Sequence, residues 1–124
     1  MNKEIREKLI EIARLKSTLS YSKLNEQLSL GYDFANDHHR ELIGEELGEV
    51  SKFELQKGRP LLSVLIVHEN DRIQGDGFYK LCQELGYGDW ESLKKSKNFE
   101  VDHIKECYKF WKDSENFRKY KNDN

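Results

Sequence analysis

Helical spacing of apolar residues marks the first quarter of the chain. Ile5, Leu9 and Ile12 recur at intervals of four and three, with Leu15 as a further candidate on the same face. This pattern predicts a helix over about residues 3–16. Small polar residues then interrupt the pattern, and Ser20 is a suitable N-cap for a short helix over residues 21–28.

A longer helix is predicted from Asn36 or Asp37 to Gly58, where glycine ends it and Pro60 prevents it from resuming. Its apolar positions are Leu42, Ile43, Leu47, Val50 and Phe53. Gly44 and Gly48 lie four residues apart on one edge. Because glycine costs about 1 kcal/mol relative to alanine in a helix interior, this pair predicts that another backbone packs very close there.

An apolar run from Leu61 to Val67 follows the only proline and is interrupted by Ser63 alone. The run is rich in β-branched residues, so it predicts a strand buried on both faces. Asn70 and Asp71 then give a turn signal, and residues 72–74 are long enough for a short return strand. The sequence therefore predicts a small antiparallel hairpin.

Two longer helical patterns follow this hairpin, and a short helix around Trp90 and Leu93 is predicted between them. The first spans Phe78 to Leu85 and stops at Gly86. The second is the clearest amphipathic pattern in the chain, and its apolar positions are Val101, Ile104, Tyr108 and Trp111, with Phe117 and Tyr120 beyond. Residues 121–124 are expected to be a frayed tail.

Together the elements predict one mostly helical α+β domain over residues 1–124. A core over residues 1–86 would contain one buried strand in the antiparallel hairpin, and residues 87–120 would form a C-terminal helical extension. A chain of 124 residues supports a core without disulfides. Cys82 and Cys107 lie in apolar helical patterns, which is typical of free thiols in a reducing compartment. We find no membrane span and no signal peptide in the pattern, so we expect a cytoplasmic protein.

Charge is distributed unevenly along the chain. Residues 1–93 carry 12 basic and 17 acidic side chains, whereas residues 94–124 carry 9 and 6. The segment from Asp33 to Glu54 alone contains seven acidic residues and only two basic ones. This acidic stretch would repel a phosphate backbone, whereas the basic C-terminal part would attract one.

The order of these elements resembles the winged-helix domain of DNA alkyltransferases and alkyltransferase-like proteins over about residues 3–80. Residues 19–24, reading LSYSKL, are similar to that family's Thr-Tyr-Gly-Glu-Leu-Ala segment. Residues 40–44 are similar to its Ala-Arg-Ala-Val-Gly stretch, and Pro60 with the apolar run is similar to its Asn-Pro and following strand. The resemblance implies a winged-helix-like core.

The same resemblance implies that the family's reaction is absent. It places Val67 at the reactive cysteine, His68 at the histidine and Glu69 at the arginine of the Pro-Cys-His-Arg motif. Valine offers no thiolate, so alkyl transfer is excluded. Glu41 stands where the family inserts an arginine into the DNA stack, so we do not expect the third helix to bind DNA.

A second, less specific resemblance concerns the segments PLLSVLIV and GDGF. They look like an uncharacterised bacterial family of mobile-element or defence context. This resemblance implies no activity.

His38, Glu41 and Glu45 share one face of the predicted third helix. Imidazole and carboxylate groups are ligands for zinc or manganese, and a fourth ligand would come from His68 or Glu69. The alternative is a helix N-terminus with carboxylates near its dipole and a solvated charged face. A divalent metal is the single cofactor that the sequence leaves open.

His68, Glu69 and Asp71 are the candidate catalytic residues, because groups at the end of a buried strand are held in place. They would supply a general base and a carboxylate partner. The alternative is a polar turn in which asparagine and aspartate favour the local conformation.

Basic and aromatic residues alternate in the last third of the chain, a composition that suits phosphate contact and base stacking. The candidate nucleic-acid-binding residues are Lys94, Lys95, Lys97, Lys105, Lys109, Lys112, Arg118 and Lys119. Acidic residues share the segment, and aromatic residues at helical spacing are also typical of a core. Phe110 lies off the apolar stripe and is a candidate partner surface.

The sequence thus favours a non-enzymatic intracellular binding module. A protein partner or a second copy of the chain is the first hypothesis, and nucleic acid is the second. The enzymatic alternative is a metal-dependent hydrolase or nuclease that uses His38, Glu41, Glu45 and His68.

Overall fold

A computed structural model describes residues 1–96 and 98–123, which are mostly helical. In chain order the elements are α1 (Lys3–Arg14), β1 (Leu19–Ser20), α2 (Tyr21–Gln27), α3 (Asp37–Gln56), a 3₁₀ helix (Leu62–Leu65), β2 (Ile66–Val67), α4 (Asp76–Glu84), α5 (Trp90–Lys95), α6 (Phe99–Lys112) and α7 (Ser114–Tyr120). None of the described helices is long and apolar enough to cross a membrane.

Side chains cap the first three helices at their N-termini. Asn2 accepts a hydrogen bond from the Ile5 backbone, Ser20 from Lys23 and Asn36 from His38, at distances of 2.9 to 3.1 Å. Such a cap contributes about 1 kcal/mol by satisfying an orphan N–H group. The predicted starts of α2 and α3 are confirmed.

The core forms where α1, α3 and α6 pack around residues 61–66. Ile5, Leu9 and Ile12 of α1 are buried, as their spacing predicts. Leu15 is 65% exposed because α1 ends at Arg14, so its expected place on the buried face is wrong.

The run from Leu61 to Val67 is buried throughout, as predicted, but most of it is not a strand. Leu62–Leu65 form a 3₁₀ helix, and only Ile66–Val67 are extended and paired. Continuous hydrophobicity predicts burial, but it does not distinguish a buried strand from a buried helical turn. The predicted seven-residue strand is therefore wrong in conformation.

The predicted antiparallel hairpin is also wrong, because β2 pairs in parallel with β1. Leu19 lies opposite Ile66, and Ser20 lies opposite Val67. The chain does turn back after β2, where the His68 N–H donates to the Ile73 carbonyl at 2.8 Å. Asp71 accepts from the Ile73 N–H and holds this turn, but residues 72–74 form no strand.

The last amphipathic pattern folds as two helices rather than one. Asp113 ends α6 and caps α7, accepting from the backbone N–H groups of Glu115 and Asn116. On α6 the buried residues are His103, Cys107 and Trp111, whereas Val101 is 40% exposed. The buried face is therefore rotated relative to the predicted stripe.

The residues expected to form a frayed tail are tied to the core. Arg6 donates to the backbone carbonyls of Tyr120, Lys121 and Asp123 at 2.8, 3.0 and 3.4 Å. Arg59 donates to the Asp123 carboxylate at 2.7 Å. The prediction is wrong for residues 121–123, because two buried cations supply partners that local sequence does not reveal. Asn124 lies outside the described residues.

Candidate functional site

A groove of about 680 Å³ runs between α3 and α4. On the α3 side it extends from Asp37 to Lys52, which at a rise of about 1.5 Å per residue corresponds to about 22 Å. On the α4 side it extends from Gly77 to Glu84, and Tyr21 and Ser63 add hydroxyl-bearing side chains. At the same rise per residue the α4 wall is about 11 Å long, so about half of the α3 wall faces α4.

Apolar side chains form the floor of this groove. Leu47 of α3 and Phe78 and Leu81 of α4 line it, and these residues are 4%, 5% and 9% exposed. They belong to or adjoin the main core, so the floor is held by the same packing that stabilises the fold.

The rim of the groove is charged and predominantly acidic. Five carboxylates and three cations line it, and they are Asp37, Glu41, Glu45, Glu49, Glu84, Arg40, Lys52 and Lys80. Arg40 pairs with Asp37, and Lys52 pairs with Glu84 at 3.1 Å across the groove. Glu41 and Glu45 are exposed and have no ion-pair partner within residues 1–96 and 98–123.

Gly44 and Gly48 lie in the α3 wall of the groove, and the prediction of a closely packed backbone there is wrong. A Cβ atom built on Gly48 would lie 3.7 Å from the Leu81 side chain, which is ordinary contact. One built on Gly44 would meet no described atom within 4 Å. The packing within the chain therefore gives no reason for glycine at position 44.

Tyr21 and His68 meet close to one end of the groove. Their ring centroids are 5.1 Å apart, and a Cβ atom on Gly75 would lie 3.0 Å from His68 Nε2 and 3.1 Å from the Tyr21 hydroxyl. Burial raises the pKa of Tyr21, and the Gly75 backbone opposes this shift. A phenol held in its protonated form can donate a hydrogen bond at neutral pH.

The candidate catalytic residues do not converge into a single group. His68, Glu69 and Asp71 are all exposed at the turn after β2. His68 turns toward Tyr21, whereas the Asp71 carboxylate holds the turn itself. The nearby Asp76 is paired with Lys94, whose hydrogen bond lowers the pKa of Asp76.

The candidate metal ligands are exposed residues of α3, and Glu41 and Glu45 among them lie on the rim of the groove. His38, Glu41 and Glu45 are exposed, and the described residues contain no group of three or more His, Cys, Asp or Glu side chains arranged to hold a metal ion. Neither His68 nor Glu69 completes such a group with them. The hypothesis of a metal-dependent enzyme gains no support from this arrangement.

The candidate nucleic-acid-binding residues divide into two sets. Lys94 pairs with Asp76 and Arg118 pairs with Glu115, so both cations are already engaged. Lys105, Lys109 and Lys112 are exposed and lie at helical spacing on one side of α6, and Lys95 and Lys119 are also exposed. Lys97 lies outside the described residues.

Phe110, the candidate partner residue, is half-buried. Its ring stacks on the Tyr120 ring of α7, with the ring centroids 6.0 Å apart, and meets the Trp111 ring edge-on, with the centroids 5.0 Å apart. Because α7 folds back beside it, the side chain is largely used in packing within the chain.

The sequence patterns did not reveal that the α3–α4 groove exists, because it depends on how two helices pack. The sequence contained one indication of the groove, because the paired glycines Gly44 and Gly48 lie in its α3 wall. Comparisons of the chain with protein-family models, with curated proteins and with solved structures found no match. Functional inference therefore depends on the geometry of the groove itself.

Proposed function

We propose that this chain is a non-enzymatic binding module that holds an extended segment of a protein partner in the α3–α4 groove. The length of the groove is the observation that carries this proposal. An extended chain advances about 3.3 Å per residue, so the α3 wall of about 22 Å accommodates about seven residues, of which about three would also face the α4 wall of about 11 Å. Small-molecule sites are usually compact cavities that enclose their ligand, whereas this volume is spread along one helix face.

The chemistry of the lining also suits a polypeptide. An apolar floor of Leu47, Phe78 and Leu81 offers contact to apolar side chains. Tyr21 carries a hydroxyl that can both donate to and accept from a backbone amide, whereas the buried Ser63 hydroxyl accepts from Ser51 at 2.6 Å. The acidic rim disfavours a phosphate backbone in the same place.

The proposal includes a winged-helix-like arrangement of residues 3–80. In it, α3 occupies the place of the helix that inserts into DNA in the alkyltransferase-like proteins, but carries Glu41 in place of the arginine. We propose that this helix contacts a protein instead, in a bacterial defence or mobile-element system.

A random peptide display library tests the proposed function even though the natural partner is unidentified. Gly44→Leu is the blocking variant, because leucine favours helix, Gly44 lines the groove, and a Cβ atom at this position would meet no described atom within 4 Å. Glu26→Leu on α2 is the matched control, since it adds the same side chain at an exposed helical position away from the groove.

We expect the library to yield peptides that bind the wild type and Glu26→Leu equally and that lose at least tenfold in affinity for Gly44→Leu. Thermal unfolding of all three proteins checks that the variants fold. Failure to select any peptide sensitive to Gly44→Leu would contradict the proposed function.

A second candidate function, nucleic-acid binding, is favoured by Lys105, Lys109 and Lys112 on one side of α6. Fluorescence anisotropy with single-stranded and duplex oligonucleotides at two salt concentrations tests it. If these lysines contact phosphates, affinity falls steeply as the salt concentration rises. Each lysine changed to alanine then reduces the slope of log affinity against log salt concentration by about one.

A further inference from the structure

The acidic rim of the groove is unbalanced once its internal ion pairs are considered. Arg40 is engaged by Asp37, and Lys52 by Glu84. The remaining cation, Lys80, lines the α4 side of the groove, and its amine lies 5.0 Å from the centre of the Trp90 ring. The two exposed carboxylates of Glu41 and Glu45 therefore dominate the α3 wall of the groove, and a cationic partner complements them.

The spacing of these carboxylates matches that of an extended chain. Glu41 and Glu45 are one helical turn apart, which is about 6 Å along α3. Side chains on the same side of an extended segment recur every second residue, at about 6.6 Å. Two cations separated by one residue would thus face the two carboxylates in register.

The residue between the two cations would point to the opposite side, because successive side chains alternate in an extended chain. On the α4 side of the groove, Phe78 and Leu81 are 5% and 9% exposed and present apolar edges to it. An apolar side chain at the intermediate position would contact this surface.

Gly44 lies beside the two carboxylates on the α3 wall, and its missing side chain lets the main chain of such a segment approach α3 closely. A Cβ atom there would meet no described atom, so glycine leaves space on the groove side of the helix.

We infer that the groove selects a partner segment in which an apolar residue stands between two cationic residues. This inference rests on the proposed function. The two lysine or arginine side chains pair with Glu41 and Glu45, and the apolar side chain between them lies against Phe78 and Leu81. The partner is thus a basic, extended segment of a protein.

Fluorescence anisotropy with short labelled peptides tests this inference. The probe carries Lys-Leu-Lys between flanking glycine and serine residues, and two control peptides carry Lys-Lys-Leu and Glu-Leu-Glu in the same frame. The charge-reversed protein is Glu41→Lys with Glu45→Lys. Its matched control is Glu7→Lys with Glu26→Lys, which changes net charge equally at exposed positions outside the groove.

We expect the wild type to bind Lys-Leu-Lys at least threefold more tightly than Lys-Lys-Leu, and far more tightly than Glu-Leu-Glu. The charge-reversed protein should lose about tenfold in affinity for Lys-Leu-Lys and should gain affinity for Glu-Leu-Glu, because exposed charge pairs contribute modestly and repulsion replaces attraction. The matched control should change by less than threefold.

Equal losses in the charge-reversed protein and its control would overturn the inference, since the effect would then follow net charge alone. If the display library yields groove-dependent peptides without cations, the inference fails while the proposed function stands. If no groove-dependent peptide is found, both fail. Oligonucleotide binding that Gly44→Leu abolishes would likewise overturn the inference, because it would assign the groove to nucleic acid.

Discussion

A single buried carboxylate, Glu54, joins three parts of the molecule. It is fully buried and lies within 2.9 to 3.4 Å of the guanidinium groups of both Arg6 and Arg59. Burial alone would lower the pKa of Arg59, but the hydrogen bonds to Glu54 and Asp123 outweigh it and raise that pKa. Arg59 therefore stays charged, and α1, α3 and the C-terminal residues share one ionic network.

Replacing Glu54 with glutamine should destabilise the protein by about 3 kcal/mol, because two buried guanidinium groups would lose their shared counter-charge. Urea denaturation monitored by circular dichroism measures the change. Glu49→Gln is the control, since Glu49 forms an exposed pair with Lys52 and should contribute less than about 1 kcal/mol. Similar effects of the two substitutions would show that the buried network is not a major source of stability.

His103 makes stability depend on pH at the residue scale. Burial lowers the pKa of His103, and Glu106 and Asp102 only partly oppose this effect. The unfolded chain then binds more protons than the folded one as the pH falls below about 6.5, the unperturbed value. This contribution to stability is therefore present above about pH 6.5 and is lost as the pH falls toward the lowered pKa.

We expect the free energy of unfolding to fall between pH 7.5 and pH 5.5, and His103→Gln to remove part of that dependence. Urea denaturation at the two pH values provides the comparison, with His38→Gln on the exposed surface of α3 as the control. An identical pH dependence in the wild type and His103→Gln would contradict the role assigned to burial.

At the scale of elements, the longer helices were predictable, but the 3₁₀ helix, the break between α6 and α7 and the parallel sheet were not. The starts of α2 and α3 follow from local capping by Ser20 and Asn36, which the sequence displays directly. The parallel pairing of Ser20 with Val67 joins residues far apart in the sequence, and no local pattern indicates it. Because only two residues of each strand pair, the sheet leaves little trace in the pattern of apolar and polar residues.

The C-terminal residues provide an element-scale prediction. Removing residues 121–124 would take away the Lys121 and Asp123 carbonyls that accept from Arg6 and the Asp123 carboxylate that accepts from Arg59. We expect a loss of about 1–3 kcal/mol in the free energy of unfolding, since charged hydrogen bonds are lost around a buried network. Asp123→Asn should cause a smaller loss, and an unchanged unfolding midpoint after truncation would show that the tail is not part of the fold.

For the molecule as a whole, the uneven distribution of charge was evident from the sequence, but the groove that carries the acidic residues was not. The acidic segment from Asp33 to Glu54 includes most of the groove's α3 wall, and the basic C-terminal part carries the exposed lysines of α6. The groove itself arises from the packing of α3 against α4, which hydrophobic spacing alone cannot specify. Glu54 could have been noticed, because it continues the buried spacing of Leu47 and Val50.

The most direct test of the groove is an NMR titration of the ¹⁵N-labelled protein with the Lys-Leu-Lys peptide. Gly44, Gly48 and Gly77 all line the groove, and glycine amide signals are well separated in such spectra. We expect the largest shift changes at these three amides and at Glu41 and Glu45, with little change at Gly31 and Gly86, which lie outside the groove. Changes centred on α6 around Lys105 and Lys109, or an unchanged spectrum at saturating peptide, would contradict the assignment of the α3–α4 groove as the binding site.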